Sequence, residues 1–247
     1  MVEKTRVFCA LPAFGNINCT QTTGAIVNTC LMLKNNDMLG GFGSMSYPDI
    51  ADLRNMWLTL WFDKIKTTHL LMVDADMSWP FELIGDMIAI DKPLVGCIYP
   101  KKTLSGDFVG SLSKDQSNVP EGFKRATSIG GGVMLIRRDC VDAIISKDPG
   151  IVDYGINRLA AGEMLKKYDF TRIIEGFAKI KNSECYMSED VSFCWRARDA
   201  GVDIFANVKH PITHIGQHEF TGAFMDSLKA HGLENYGTAP VLMEAAE

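Results

Sequence analysis

The stretch HLLMVDADMSWP, residues 69–80, sets the reading of the whole chain. Leu70, Leu71, Met72 and Val73 form an unbroken apolar run, the pattern of a strand buried on both faces in the middle of a parallel sheet. Asp74 and Asp76 follow at its end, and Pro80 stands where a helix would open. Side chains alternate along an extended chain, so the two acids are expected to point the same way. Like charges side by side repel unless something positive lies between them.

The flanking sequence alternates strand and helix signals. Strands are expected at 6–12, 38–45, 69–73 and 93–99, and helices at 22–33, 49–65 and 81–90. The helix at 49–65 rests on the spacing of Ile50, Leu53, Met56, Trp57, Leu60 and Trp61. This alternation predicts an α/β chain, a mostly parallel central sheet flanked by helices. Ligands of such sheets bind beyond the carboxyl ends of the strands, where the acidic pair lies.

Beyond residue 100 the pattern loosens. Residues 101–127 read as a long polar loop with a short hairpin. Three glycines at 130–132 lead into VMLIRR, an apolar strand, and a helix at 139–145. Residues 148–182 carry no clear assignment apart from a strand at 175–180. A helix at 189–200 is stopped by Gly201. Neither a repeat nor a linker divides the chain, so one domain is expected, with the half before about residue 100 distinct from residues 101–232 and a frayed tail at 233–247.

Composition narrows the classes. The chain has 247 residues, 47% hydrophobic and 22% charged, which suits a folded domain with a sizeable core. A net charge of −5 gives no general pull toward nucleic acid or acidic membranes. No apolar run reaches the roughly 18–20 residues of a membrane span. The N-terminal stretch reads as a strand rather than a signal peptide. Seven scattered cysteines, without a C-x-x-C pair, suit reduced thiols and a cytoplasmic location.

Several groups could carry chemistry. Asp-x-Asp at a strand end suits a hard divalent cation, Mg²⁺ or Mn²⁺; the plainer alternative is a helix start, with Asp76 or Ser78 capping the helix at Pro80. In YMSEDVSFCWRARDAG, residues 186–201, Ser188 is a candidate N-cap and Glu189 and Asp190 fall in the first turn. The macrodipole favours acids there by about 0.3–1 kcal/mol; alternatively one of them faces a cleft as general base. In KHPITHIGQHEF, residues 209–220, His210, His214 and His218 are spaced by four, but Pro211 and Gly216 make a helix and a zinc face unlikely. One of them could add an imidazole to the acids, a donor set that suits Mn²⁺ better than Mg²⁺. The glycines at 130–132 allow close approach or a plain turn. Arg54 either reaches a diphosphate or is a solvated face residue, and its spacing alone favours the second.

The order of these motifs resembles that of the GT-A glycosyltransferases, and among them the large family-2-like group of nucleotide-sugar transferases. The resemblance spans roughly residues 5–220, through ALPAF, the RN of DLRNMW, LLMVDADMSWP, LVGCIYP, GGGVMLIRR, SEDVSFCWRARDAG and THIG. It implies a Rossmann-like GT-A fold, with a donor-binding half before about residue 100 and an acceptor-side half after it. It also implies a metal-dependent enzyme that moves a sugar from a UDP- or GDP-sugar to the hydroxyl of a glycan or other acceptor. By the same resemblance Asp76 binds Mn²⁺ (or Mg²⁺) directly, Asp74 lies nearer the ribose or a metal-bound water, and His214 supplies the third protein ligand, with His218 as its rival. Asp190 is the base of an inverting reaction, with Glu189 beside it. Pro12, Ala13 and Arg54 hold the nucleotide, and Gly131 and Gly132 border the donor sugar or acceptor. The acidic end of the second strand common in family 2 is missing; GGFGSMS stands there.

Two other classes compete. A haloacid-dehalogenase-type phosphatase would use Asp74 as nucleophile, although Met77 stands where a Thr or Val is usual and a strand–helix–strand–helix precedes the pair. A non-catalytic nucleotide-sugar binder on the same fold would keep the motifs without turnover.

Overall fold

A computed structural model describes residues 4–155, 166–181, 185–216 and 218–234. The first half follows the sequence pattern closely. Strand β1 (Val7–Pro12) leads to helix α1 (Thr20–Asn35), β2 (Leu39–Met45) and α2 (Ile50–Leu60). Asp49 caps α2, accepting from the amides of Ala51 and Asp52. A wider turn, Trp61–Ile65, extends α2 until Lys66 ends it in the left-handed region. Then come β3 (His69–Val73), the short β4 (Met77–Ser78), α3 (Phe81–Ala89), β5 (Leu94–Cys97) and β6 (Tyr99–Pro100). Pro80 is the N-cap of α3, and no side chain caps that helix.

The polar segment after residue 100 does contain a hairpin, β7 (Phe108–Leu112) with β8 (Phe123–Ile129). β9 (Val133–Arg137), α4 (Arg138–Lys147), β10 (Val152–Asp153) and β11 (Ile173–Ile174) follow. The chain then runs through α5 (Glu189–Asp199), β12 (Ile204–Asn207), β13 (Ile212–Ile215), β14 (Glu219–Gly222) and α6 (Phe224–Ala230). Gly201, with φ of +79°, closes α5 as its sequence predicts.

The sheet has nine strands in the order β2-β1-β3-β9-β5-β12-β8-β7-β6. β2, β1 and β3 are parallel, as are β5 and β12, while β9 runs antiparallel between β3 and β5. Alternation through β3 sends Leu70 and Met72 to one face and Leu71 and Val73 to the other. The first face packs Trp57, Cys140, Phe177 and Phe193; the second packs Ile26, Leu83 and Met87. Helices therefore cover both faces, the α/β arrangement expected. Among the described residues no helix is long and apolar enough to cross a membrane.

The strand expected at 175–180 does not form. Its backbone groups bond to side chains of neighbouring helices: the Phe177 amide donates to Asn55 Oδ1 at 2.7 Å, and Arg196 donates to the carbonyls of Gly176 and Ala178 at 3.0 and 2.7 Å. Residues 156–165 and 182 of the stretch left unassigned, the adjoining residues 183–184, and the end from 235 onward lie outside the described residues.

His69, the first residue of β3, is buried, and burial with nearby Arg137 brings its pKa down from 6.5 to about 4. Between those values the unfolded chain binds a proton that the folded chain refuses, so stability falls as pH falls through this window. The complete effect is about 3 kcal/mol. Urea unfolding at pH 6.5 and pH 4 is expected to show a smaller acid loss in His69→Gln than in the parent. Equal losses would contradict this assignment.

Candidate functional site

The site begins where β3 stops. After Val73 the chain leaves the extended conformation and turns, with the Met77 amide reaching back to the Asp74 carbonyl. Strict alternation therefore ends at Asp74, and each acid of the pair acquires its own cation. For Asp74 it is Arg54: Nη2 donates to both carboxylate oxygens, at 2.7 and 2.8 Å. For Asp76 it is Lys102, whose ammonium lies 2.5 Å from Oδ2. Neither Asp76 nor Ser78 caps α3, so the helix-start alternative is not what the structure shows.

Arg54 is 2% exposed, which corrects its reading as a solvated face residue. Its Nη1 donates to Glu189 Oε1 at 2.9 Å, and the guanidinium carbon lies 5.9 Å from the centre of the Phe177 ring. Phe177 is in turn stacked on Phe193 of α5, 4.3 Å between centres. One side chain of α2 thus ties the end of β3 to the start of α5. Burial alone would weaken the Arg54 charge, but Asp74 and Glu189 more than reverse this and raise its pKa. Burial raises the Asp74 pKa, Arg54 opposes that rise, and the charges of Asp76 and Glu189 add to it.

The glycines at 130–132 are explained by what packs on them. A Cβ on Gly131 would lie 2.1 Å from Arg54 Nη1, and one on Gly130 or Gly132 would strike Tyr99 at 2.4 or 2.8 Å. None of the three has a positive φ, so the requirement is for space. Their backbone also wires the site. The Gly132 carbonyl accepts from the Asp74 amide at 2.9 Å, and the Gly132 amide donates to the Tyr99 hydroxyl at 3.1 Å. The Gly131 amide donates to Asp190 Oδ2 at 3.3 Å. Asp190 Oδ1 accepts from the Val191 amide at 2.8 Å and from the Ser188 hydroxyl. Ser188 is the N-cap of α5 by position, yet its hydroxyl is spent on Asp190 rather than on a helix amide.

His214 arrives from β13, which pairs with β4 so that His214 faces Met77. The Ile215 amide donates to the Asp76 carbonyl at 2.7 Å, fixing the two segments together. Nδ1 of His214 lies 3.0 Å from the Pro100 carbonyl, which can only accept, so Nδ1 carries the hydrogen. Nε2 lies 3.8 Å from Asp76 Oδ2, and in the neutral imidazole it is the nitrogen that carries the lone pair. The rival histidine, His218, is exposed and makes an edge contact with Phe220, while His210 is paired with Asp86 at 2.8 Å.

Asp74 and Asp76 border a cleft of about 670 Å³ at the carboxyl ends of β1 and β3, lined also by Pro12, Asp49 and Lys179 among others. Ala13 is buried behind Pro12, its amide bonded to the Met45 carbonyl at 2.9 Å. A slightly larger cavity, about 690 Å³ between α3 and α6, lies away from these acids. Sequence reasoning missed Tyr99, Lys102 and Lys179. A tyrosine ending an apolar strand and a lysine pair opening a polar loop were the available signals for the first two.

No protein-family model matches the sequence, and no curated protein matches it either. Among solved structures the chain is similar to A197 from STIV, at 15% identity and a TM-score of 0.49, covering 86% of each chain. It is also similar to GalNAc-T7, whose structure contains UDP, GalNAc and Mn²⁺, at 10% identity and a TM-score of 0.49. That likeness covers 87% of this chain and 44% of GalNAc-T7.

Removing the Arg54 charge leaves two enclosed carboxylates unpaired. Arg54→Met is expected to cost about 3 kcal/mol at pH 7 in urea unfolding. Without Arg54 the enclosed Asp74 carboxylate binds a proton more tightly in the folded chain, so the deficit shrinks as pH falls toward 5. Gly131→Ala, which displaces the guanidinium, is expected to produce a defect of the same kind. Unfolding of Arg54→Met that matches the parent at pH 7 would show that the ion triad is not formed in solution.

Proposed function

We propose that this chain is a metal-dependent glycosyltransferase, moving a sugar from a nucleoside-diphosphate sugar to an acceptor hydroxyl. One observation carries the reading: Asp76, which lines the cleft, has His214 Nε2 3.8 Å from its Oδ2, while the Pro100 carbonyl accepts the hydrogen bond of the other ring nitrogen. A carboxylate oxygen beside an imidazole nitrogen suits Mn²⁺. No group of three His, Cys, Asp or Glu side chains able to hold a metal occurs among the described residues. Asp76 and His214 would therefore hold the cation as a pair, with Asp74 acting from beside it, and phosphate oxygens and water would complete its shell. When bound, the cation supplies Lewis-acid stabilisation of charge on the leaving diphosphate.

The remaining work falls to the chain itself. Pro12 and Lys179 line the cleft that receives the nucleotide, Lys179 offering a positive charge to the phosphates. Arg54 holds Asp74 in place from beneath the cleft floor. Glu189 is committed to Arg54, whereas among the described residues Asp190 Oδ2 accepts from the Gly131 amide alone and keeps a lone pair for a proton. Asp190 is thus the better candidate of the two acids to deprotonate an acceptor hydroxyl, the role an inverting transfer asks of its base. Gly131 holds that base through its amide, and Gly132 ties the same turn to Asp74. The phosphatase alternative fits less well, since the paired contact from the buried Arg54 stabilises the Asp74 carboxylate and so weakens it as a nucleophile.

Thermal unfolding with UDP- and GDP-sugars, in Mn²⁺ or EDTA, tests donor binding. A donor at about 100 times its Kd adds roughly 2.7 kcal/mol, or about 5–10 °C for a chain this size. The shift is expected to vanish in EDTA and in Asp76→Asn. Asp190→Asn is expected to keep the shift while transfer falls about 10²–10⁴-fold. Binding without transfer in the parent, against a broad acceptor panel, would leave a donor-binding protein; no shift with any nucleotide would remove the donor reading.

A further inference from the structure

Lys102, the cation paired with Asp76, has no part in the function proposed above, yet it makes the closest contact at the proposed cation position. Its ammonium lies 2.5 Å from Asp76 Oδ2, the same oxygen that His214 Nε2 faces at 3.8 Å. The contact is seated. A Cβ on Gly216, two residues beyond His214, would meet Lys102 Cδ at 3.2 Å, so the lysine stem lies across the strand end that delivers the histidine. The loop that carries it is closed by the Lys101 amide on the Asp107 carbonyl at 2.8 Å and by the Ser105 hydroxyl on Asp107 Oδ2 at 2.7 Å. Both partners of the pair are 36% exposed, so the ammonium can leave Asp76 for water at small cost.

We propose that Lys102 is the resident counter-ion of Asp76 and competes with a divalent cation for Oδ2, so that it sets how readily that cation loads. This rests on the reading that Asp76 and His214 receive a divalent cation. An ammonium and a divalent cation on one carboxylate oxygen lie close enough to repel each other strongly. Loading is therefore opposed while the lysine stays on Oδ2 and eased when it moves off. A nucleoside diphosphate in the cleft offers the displaced ammonium new anionic partners, which makes cation and donor binding mutually favourable.

The test uses Mn²⁺ alone, without nucleotide, at fixed pH and salt, with free Mn²⁺ read by electron paramagnetic resonance. Lys102→Met is expected to bind Mn²⁺ roughly five- to tenfold more tightly than the parent. Adding Asp76→Asn to that variant is expected to abolish the gain. Lys102→Gln serves as a second variant, and thermal unfolding confirms that each is folded. Lys179→Met removes an equal charge from the same cleft without touching Asp76 and is expected to gain far less. An equal gain in Lys179→Met would assign the effect to the general field and overturn the competition. So would unchanged or weaker binding in both Lys102 variants while Asp76→Asn still weakens the parent; in that case the cation site stands and the role of Lys102 falls. If no chain binds Mn²⁺ saturably, the cation reading itself falls, and the competition with it.

Discussion

The buried guanidinium of Arg54 is the constraint on which the rest of this site depends. A charge sealed beneath a sheet edge is tolerated only when paired, and Arg54 has two carboxylates, Asp74 and Glu189. These come from the end of β3 and the start of α5, 20 and 135 residues away along the chain. Any arrangement that separates α2, β3 and α5 leaves a charge buried without its partner. The glycine at 131 follows from the same constraint, since any larger residue would overlap the guanidinium.

Pairing also divides labour among four acids that would otherwise repel one another. Asp74 and Glu189 share the single positive charge of Arg54 from below. Asp190 is held by the Gly131 and Val191 amides and the Ser188 hydroxyl. Asp76 alone of the four is paired with a half-exposed cation, Lys102, and has His214 Nε2 beside the same oxygen. Three of the acids are thus held by buried or backbone partners and one stands at the rim. Under the proposed function, that is the acid at which a cation would enter with the donor.

Much of the fold was legible because burial imposes period. The run through residues 70–73 and the spacing through α2 each had one plausible reading, and both elements formed where expected. The site was less legible. Asp74, Asp76, Asp190 and His214 stood out by residue type and order, but the partners of each are set by tertiary contacts. Helical spacing placed Arg54 on a solvent face because nothing in a local window reveals a carboxylate 135 residues away. The strand expected at 175–180 failed for a related reason: Asn55 and Arg196 take the backbone bonds that a neighbouring strand would have made. The glycines at 130–132 were visible as a signal, yet their cause, side chains packed against all three, belongs to the folded state alone.

The central claim is that Asp76 and His214 together receive a divalent cation at the edge of a nucleotide cleft. Its most direct test is an anomalous difference map from crystals of the chain grown with Mn²⁺ and a nucleoside diphosphate. The account predicts a manganese peak within coordination distance of Asp76 Oδ2 and His214 Nε2, with the diphosphate reaching it from the cleft lined by Pro12 and Lys179. A nucleotide seated in that cleft with no manganese at Asp76, or manganese bound only elsewhere on the chain, would contradict it.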